Sequence, residues 1–124
     1  DILLALDTAN LKTMAQIMQN FGYQQRLPVS IQELGDAYKV RKLMQEKGLI
    51  AYSFIHAREP QFNIDVLVGE SLEFEKFTVH TMHADVWGLD VPVVSIDDLI
   101  AMKKNSEREK DVQDVVALLE LKGL

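Results

Sequence analysis

The chain has 124 residues, of which 48% are hydrophobic and 26% are charged, and its formal net charge is −6 at pH 7. This balance predicts one folded globular domain over residues 1–124, and the negative charge disfavours broad, unspecific binding of nucleic acid, which normally needs a basic face. The lack of cysteine excludes disulfides, thiolate catalysis and cysteine-based zinc sites; no membrane span or signal peptide is recognisable, so we expect a cytoplasmic protein.

The start of the sequence predicts a strand followed by a helix. Residues 1–6, DILLAL, form an apolar run headed by an acid, which is typical of a buried strand. Asp7 is a helix-start residue, the apolar positions from Leu11 onward have helical spacing, and Gly22 ends the helix. This order of a buried strand and an amphipathic helix indicates an α/β-type domain.

Two further helices are predicted before the middle of the chain. SIQE at residues 30–33 is a capping-box pattern, in which a hydroxyl and a carboxylate each satisfy a free backbone N–H group. Asp36 is placed to cap the second of these helices, and Gly48 is placed to end it.

The sequence from residue 49 onward predicts two pairs of strands and three helices. LIAYSFIH (residues 49–56) and QFNIDVLVG (residues 61–69) are rich in β-formers and predict a hairpin of antiparallel strands. SLEFEKF predicts a short helix, and VHTMHADVWG and VPVV predict two more strands. Ser95 opens another capping pattern, after which two helices finish the chain. The order of elements predicts an α/β (α+β) fold with a C-terminal helix pair.

Two aspartates stand inside or at the head of apolar strands. Asp1 precedes ILLAL, and Asp65 lies within FNIDVLVG. Burying a carboxylate without a partner is costly, so each residue is expected at a strand end, in a pair, or on a metal ion. Carboxylates on neighbouring strands suit Mg²⁺, which takes oxygen ligands and keeps waters and substrate phosphates.

Several stretches together resemble the polymerase-beta-type nucleotidyltransferase superfamily, particularly its small bacterial members of the toxin and abortive-infection type. They are DILLAL, PVSIQELGDAYKVRKLMQEKGLIAYSFIH, FNIDVLVG and, most specifically, VPVVSIDDLIAMKK followed by KDVQDVVAL. The resemblance implies a mixed sheet flanked by helices. It also implies that Asp1 is the second acid of an Asp-x-Asp pair, that Asp65 is the third acid, and that both are catalytic ligands of Mg²⁺.

Part of the family pattern is missing from this sequence. The first acid of the pair would lie two residues before Asp1, and the glycine-rich turn with its serine would lie further upstream. We therefore expect a copy truncated at its N-terminus that is inactive by itself.

The charged junction between the last two helices has two interpretations. Lys103 at the end of one helix and Lys110 and Asp111 at the start of the next are ordinary complements to helix dipoles. The resemblance implies instead that these residues bind the nucleotide, with the lysines facing its phosphates and Asp111 orienting Lys103 or Arg108. We adopt this second interpretation as a prediction. His80 and His83 are weaker candidates for a metal site, because on a strand they point to opposite sides.

By resemblance, the complete protein transfers a nucleoside monophosphate from an NTP to a hydroxyl on RNA, protein or a small molecule. We also expect an antitoxin partner or a homodimer, and we expect no association with a membrane. The alternative is a catalytically inactive module that binds a partner or dimerises within a toxin–antitoxin-type system.

Overall fold

The computed structural model describes residues 1–69, 72–106 and 108–123. It forms two compact units, Asp1–Phe74 and Glu75–Leu124. The mixture of helices with small antiparallel sheets confirms the predicted α+β fold class. In chain order the first unit contains α1 (Thr8–Asn20), β1 (Tyr23–Gln25), a 3-10 helix (Ile31–Gly35), α2 (Ala37–Lys47), β2 (Ala51–His56) and β3 (Ile64–Leu67).

The sheet of the first unit has the order β1-β2-β3, and its neighbouring strands are antiparallel. The predicted strand over residues 1–6 is wrong in extent, because only Ile2 pairs with the sheet. Ile2 forms a parallel bridge to Val66, donating its N–H to the carbonyl of Asp65 at 2.7 Å and accepting from the N–H of Leu67 at 2.9 Å. Since β3 ends at Leu67, which lies at the level of Leu3, the residues from Leu4 onward have no strand left to pair with.

The core of the first unit lies between α1, the 3-10 helix and one face of the sheet. The buried residues of α1 recur at helical spacing, and those of β2 alternate along the strand, as an amphipathic helix on a half-buried sheet requires. Fully burying one such side chain contributes about 1.5–3 kcal/mol. The buried core residues are Leu11, Met14, Met18, Ile31, Leu34, Leu49, Tyr52, Phe54, Val66 and Val68.

Side-chain caps fix where the helices of the first unit begin, and two of them match the sequence prediction. Asp7 accepts a hydrogen bond from the N–H of Asn10 at 2.8 Å, and Asp36 accepts from Tyr38 and Lys39. Ser30 differs, since its hydroxyl bonds Gln32 at both the N–H and the side chain. The reciprocal capping box is therefore replaced by the tighter cap of a 3-10 turn.

The second unit begins with a short helix and a hairpin and ends with two helices. The helix over SLEFEKF is confirmed at Phe74–Thr78, while Ser71 of that motif lies outside the described residues. Both strands predicted around Gly88 are confirmed. The elements are α3 (Phe74–Thr78), β4 (Met82–Val86), β5 (Leu89–Val93), α4 (Ile96–Lys104) and α5 (Glu109–Leu121). None of the helices in the described ranges has the length and apolar character needed to cross a membrane.

Candidate functional site

The predicted site residues fall in both units. Asp1 and Asp65 belong to the first unit, while Lys103, Lys110 and Asp111 belong to the second. Each group is built by different elements, the first by the edge of a sheet and the second by two helix ends.

Asp1 and Asp65 stand at the same level of the sheet edge. The parallel bridge pairs Ile2 with Val66, so the register one residue earlier sets Asp1 beside Asp65. Ile2 packs against the core and Val66 is fully buried. Because successive side chains of an extended chain point to opposite sides, both aspartates lie on the side away from the core.

A cross-strand hydrogen bond holds the carboxylate of Asp65. Ser53 is its register partner on β2, and the Ser53 hydroxyl donates to Oδ1 of Asp65 at 2.6 Å. Both side chains are half-buried. The bond restricts the rotamers of Asp65 and orients it on the outer face of the sheet, where Asp1 is exposed. Sequence reasoning missed Ser53, because the register that makes it a neighbour of Asp65 is set only on folding.

The two aspartates match the oxygen ligands that a hard divalent cation prefers. In the described ranges no cluster of three or more His, Asp or Glu side chains is placed to hold an ion by itself. Mg²⁺ is often held by one or two carboxylates together with substrate phosphates and waters. Asp1 and Asp65 are carboxylates of this type.

The ammonium group of Lys103 lies between two carboxylates of α5. Its Nζ donates to Oδ2 of Asp114 at 2.8 Å and to Oδ1 of Asp111 at 3.2 Å. The hydrogen bond to Asp114 is the main reason that the pKa of Lys103 is raised; partial burial opposes this effect and the contact with Asp111 adds to it. Lys103 thus ties the end of α4 to the start of α5.

Asp111 is the buried centre of this network, with only 4% of its surface exposed. The Nε–H of Arg108 donates to its Oδ2 at 2.7 Å. That bond, followed by hydrogen bonds from Ser106 and Lys103, holds the pKa of the Asp111 carboxyl well below its usual range, although burial acts in the opposite direction. Asp111 is expected to orient Lys103 or Arg108, and in the structure it contacts both side chains.

Lys110 has a different environment from Lys103. Its side chain is exposed in the first turn of α5, so its charge remains available to a ligand in solution. A shallow groove of about 380 Å³ runs beside Lys103 along the two helices. Its lining is mostly apolar and consists of Leu99, Lys103, Asp114, Ala117, Leu118 and Leu121.

Asp114 is the network member that sequence reasoning missed. It follows Asp111 by three residues on α5 and therefore lies on the same side of the helix. That spacing is the signal that could have identified it. The second acid explains how one lysine is held from both sides at the junction.

The two histidines considered for a metal site do not meet. Nδ1 of His80 lies 3.6 Å from Oδ2 of Asp98 at the start of α4, and Nδ1 of His83 lies 3.0 Å from Oδ1 of Asp90 across the hairpin. Each histidine therefore has its own carboxylate neighbour.

Comparisons of the chain with protein-family models, with curated proteins and with solved structures find no match. The assignment of a function therefore depends on the residues and on their arrangement.

Proposed function

We propose that the chain is a nucleotidyltransferase-like domain. It transfers a nucleoside monophosphate from an NTP to a hydroxyl acceptor on RNA, protein or a small molecule, in a cytoplasmic toxin–antitoxin-type system. The observation that carries the proposal is the position of Asp1 beside Asp65 on the face of the sheet that points away from the core. Two carboxylates at one level of neighbouring segments can share a cation with a phosphate.

The proposed reaction joins the acceptor oxygen to the α-phosphorus of the NTP and breaks the bond from that phosphorus to pyrophosphate, while the hydroxyl loses its proton. Bound Mg²⁺ would supply charge stabilisation and lower the pKa of the attacking hydroxyl. Asp1 and Asp65 would hold the cation, and the hydrogen bond from Ser53 keeps Asp65 oriented toward the open face. Orientation of this kind limits the rearrangement needed for reaction.

The lysines at the helix junction have different proposed roles. Lys110 is exposed, so the second unit by itself offers a mobile ammonium group to a phosphate ligand. Lys103 is already bonded to two carboxylates, so a phosphate would have to compete with Asp114 for it. Asp111 would keep Lys103 and Arg108 in place for that exchange. The network supports a phosphate-binding role only if Lys103 keeps a donor for the ligand, and its three N–H groups allow this.

The cation site can be tested on the 124-residue chain with Mn²⁺ as the probe, because Mn²⁺ takes the same oxygen ligands and broadens nearby NMR signals. We expect selective loss of the amide signals of Ile2, Ser53 and Val66. Asp65→Asn should abolish the effect. The matched control is Asp90→Asn, another strand carboxylate with one side-chain partner, which should leave it unchanged.

Equal broadening in wild type and Asp65→Asn would refute the cation site and favour the alternative, an inactive partner-binding or dimerisation module. A transfer assay with labelled NTP adds a second measurement. Any transfer should be lost in Asp65→Asn, and transfer that survives this substitution would contradict the assignment of Asp65 as a metal ligand.

A further inference from the structure

The hairpin β4–β5 has two edges, and they differ in their capacity to accept another strand. Trp87 and Gly88 form the two-residue turn, both with positive φ (52° and 82°), as a type I′ turn requires. Val86 and Leu89 close this turn as a hydrogen-bonded pair. Since hydrogen-bonded and non-hydrogen-bonded pairs alternate along antiparallel strands, the backbone groups of His83 and Asp85 point outward from β4.

The outer edge of β5 is blocked, while that of β4 is open. Pro92 is the register partner of His83, so it occupies an outward-facing position on β5 and has no N–H to donate. In the described part of the chain, β4 and β5 pair only with each other. The outward backbone groups of His83 and Asp85 therefore form an unpaired edge, which is a template for another strand.

The side chains of β4 divide the hairpin into an apolar face and a polar face. Met82, Ala84 and Val86 lie on the apolar face, and Met82 and Val86 are 53% and 40% exposed. His83 and Asp85 lie on the polar face. There Asp85 stands directly opposite Asp90, and like charges in this position are destabilising.

We propose that β4 pairs with β4 of a second copy of this chain, antiparallel and across a two-fold axis at Ala84. His83 then lies opposite Asp85 of the second copy, and the two residues exchange both of their backbone hydrogen bonds. Met82 lies opposite Val86 of the second copy on the apolar face. Every contact occurs twice, as an isologous interface requires, and the result is a four-stranded sheet.

Charge complementarity identifies the occupant of this edge as a second copy. Within one chain Nδ1 of His83 contacts Asp90 at 3.0 Å. Asp85 accepts a hydrogen bond from the N–H of Gly88 at 2.8 Å and has the like charge of Asp90 opposite it. The proposed register brings His83 of the second copy to Asp85. The small side chain of Ala84 suits the close approach of a non-hydrogen-bonded pair at the axis, where Cα atoms lie about 4.5 Å apart. An isolated two-stranded hairpin is marginally stable, and additional strands stabilise it.

Disulfide trapping tests the register directly, because the chain contains no cysteine. We expect Ala84→Cys to form a covalent dimer on mild oxidation, since the two Cα atoms at the axis would lie within disulfide range. The matched control is Val91→Cys, the register partner of Ala84 on β5. In the proposed sheet the two copies of residue 91 lie about three strand spacings, or about 14 Å, apart, so this variant should remain monomeric.

A second measurement does not depend on oxidation. His83→Pro removes an outward-facing N–H, as Pro92 already does on β5, and it also removes the side-chain contact with Asp90. The backbone hydrogen bonds within the hairpin do not use this N–H and are kept. Sedimentation over a concentration series should show a wild-type dimer and at least a tenfold weaker dimer for His83→Pro, with circular dichroism unchanged. A monomeric wild type, or equal cross-linking of Ala84→Cys and Val91→Cys, would overturn the proposal. Either result leaves the proposed Mn²⁺ binding at Asp65 unaffected, because the dimer does not depend on that function.

Discussion

Lys103 in the last turn of α4 and Asp111 in the first turn of α5 are joined by a hydrogen bond of 3.2 Å, although the Asp111 side chain is almost completely buried. A buried carboxylate is tolerated only when its charge is matched and its oxygens are bonded. Lys103 bonds one oxygen and Arg108 bonds the other. At the far end of the same helix pair, Lys122 bonds Asp97. Ion pairs therefore connect α4 and α5 at both ends.

Acid should weaken the α4–α5 junction through Asp111. The pKa of its carboxyl is lowered in the fold from an ordinary value of 3.8. A lowered pKa contributes stability that is fully present above the unfolded value, near pH 4, and is lost as the pH falls toward the folded value. We expect wild-type stability to decline steeply below pH 4. Asp111→Asn should be less stable at pH 7 and should show a shallower decline in acid.

Urea unfolding at several pH values measures this difference. Glu120→Gln, which changes an exposed acid on the same helix, is the control and should follow the wild type. Parallel pH curves for wild type and Asp111→Asn would show that Asp111 contributes nothing to acid sensitivity.

Lys103→Ala distinguishes the structural role of the lysine from a phosphate-binding role. The variant leaves Asp111 and Asp114 without their shared cation, so its melting temperature should fall by about 5 °C or more. If Lys103 also contacts a phosphate, a charge-assisted bond worth about 1.5–3 kcal/mol is lost. Affinity for Mg-NTP should then fall roughly ten- to a hundredfold.

Lys104→Ala is the matched control, because Lys104 is the exposed neighbour of Lys103 on α4. Calorimetry of Mg-NTP binding and thermal melts are to be measured for both variants. A lower melting temperature with unchanged affinity for Mg-NTP would mean that Lys103 only holds the two helices together and does not bind a phosphate.

The local signals in the sequence predicted most of the secondary structure. Asp7, Asp36 and Ser95 each cap the helix that follows them, as their short polar side chains suggest. Gly48 ends α2 in the left-handed conformation, with φ of 65°. These features depend on neighbours only a few residues apart along the chain, which is why a single sequence reveals them.

The remaining features depend on contacts between distant residues. β1 is short and polar, and it forms because Tyr23 pairs with His56 of β2. The bond of Ser53 to Asp65 likewise needs the register of two strands. The sequence placed Lys103 and Asp111 at one junction, but the path of the chain between α4 and α5 decides that they face each other. Long-range pairing of this kind leaves no periodic trace in the sequence.

Gly48→Ala tests how much the left-handed helix end contributes. A Cβ at this position would meet no atom within 4 Å, so only backbone conformation opposes the substitution. We expect a loss of about 1 kcal/mol in the free energy of unfolding, measured by urea denaturation. Gly35→Ala is a useful contrast, because its Cβ would approach Leu11 at 3.3 Å without a positive φ. No loss in Gly48→Ala would mean that α2 can end in another conformation.

Tyr52→Phe should make the stability of the first unit less sensitive to alkaline pH. Tyr52 is fully buried, and its hydroxyl donates to the carbonyl of Val29 at 2.5 Å. Burial, followed by the charge of Glu33, raises the pKa of Tyr52 from 10.0 to about 12. A raised pKa contributes stability that is fully present below pH 10 and is lost as the pH rises from 10 through about 12. Wild-type stability should therefore decline over that window, and the decline should be smaller in Tyr52→Phe.

At pH 7 the same substitution keeps the ring, and with it the edge contact to Phe54 at 5.3 Å between centroids. It leaves the Val29 carbonyl without its donor, so we expect a loss of about 1–2 kcal/mol. Urea unfolding at pH 7 and at intervals from pH 9 to 12 measures both effects. Tyr38→Phe is the control, since Tyr38 is 72% exposed and its hydroxyl is hydrated in both states. If Tyr52→Phe and Tyr38→Phe lose stability equally between pH 10 and 12, the ionisation of Tyr52 is not what limits the fold in alkali.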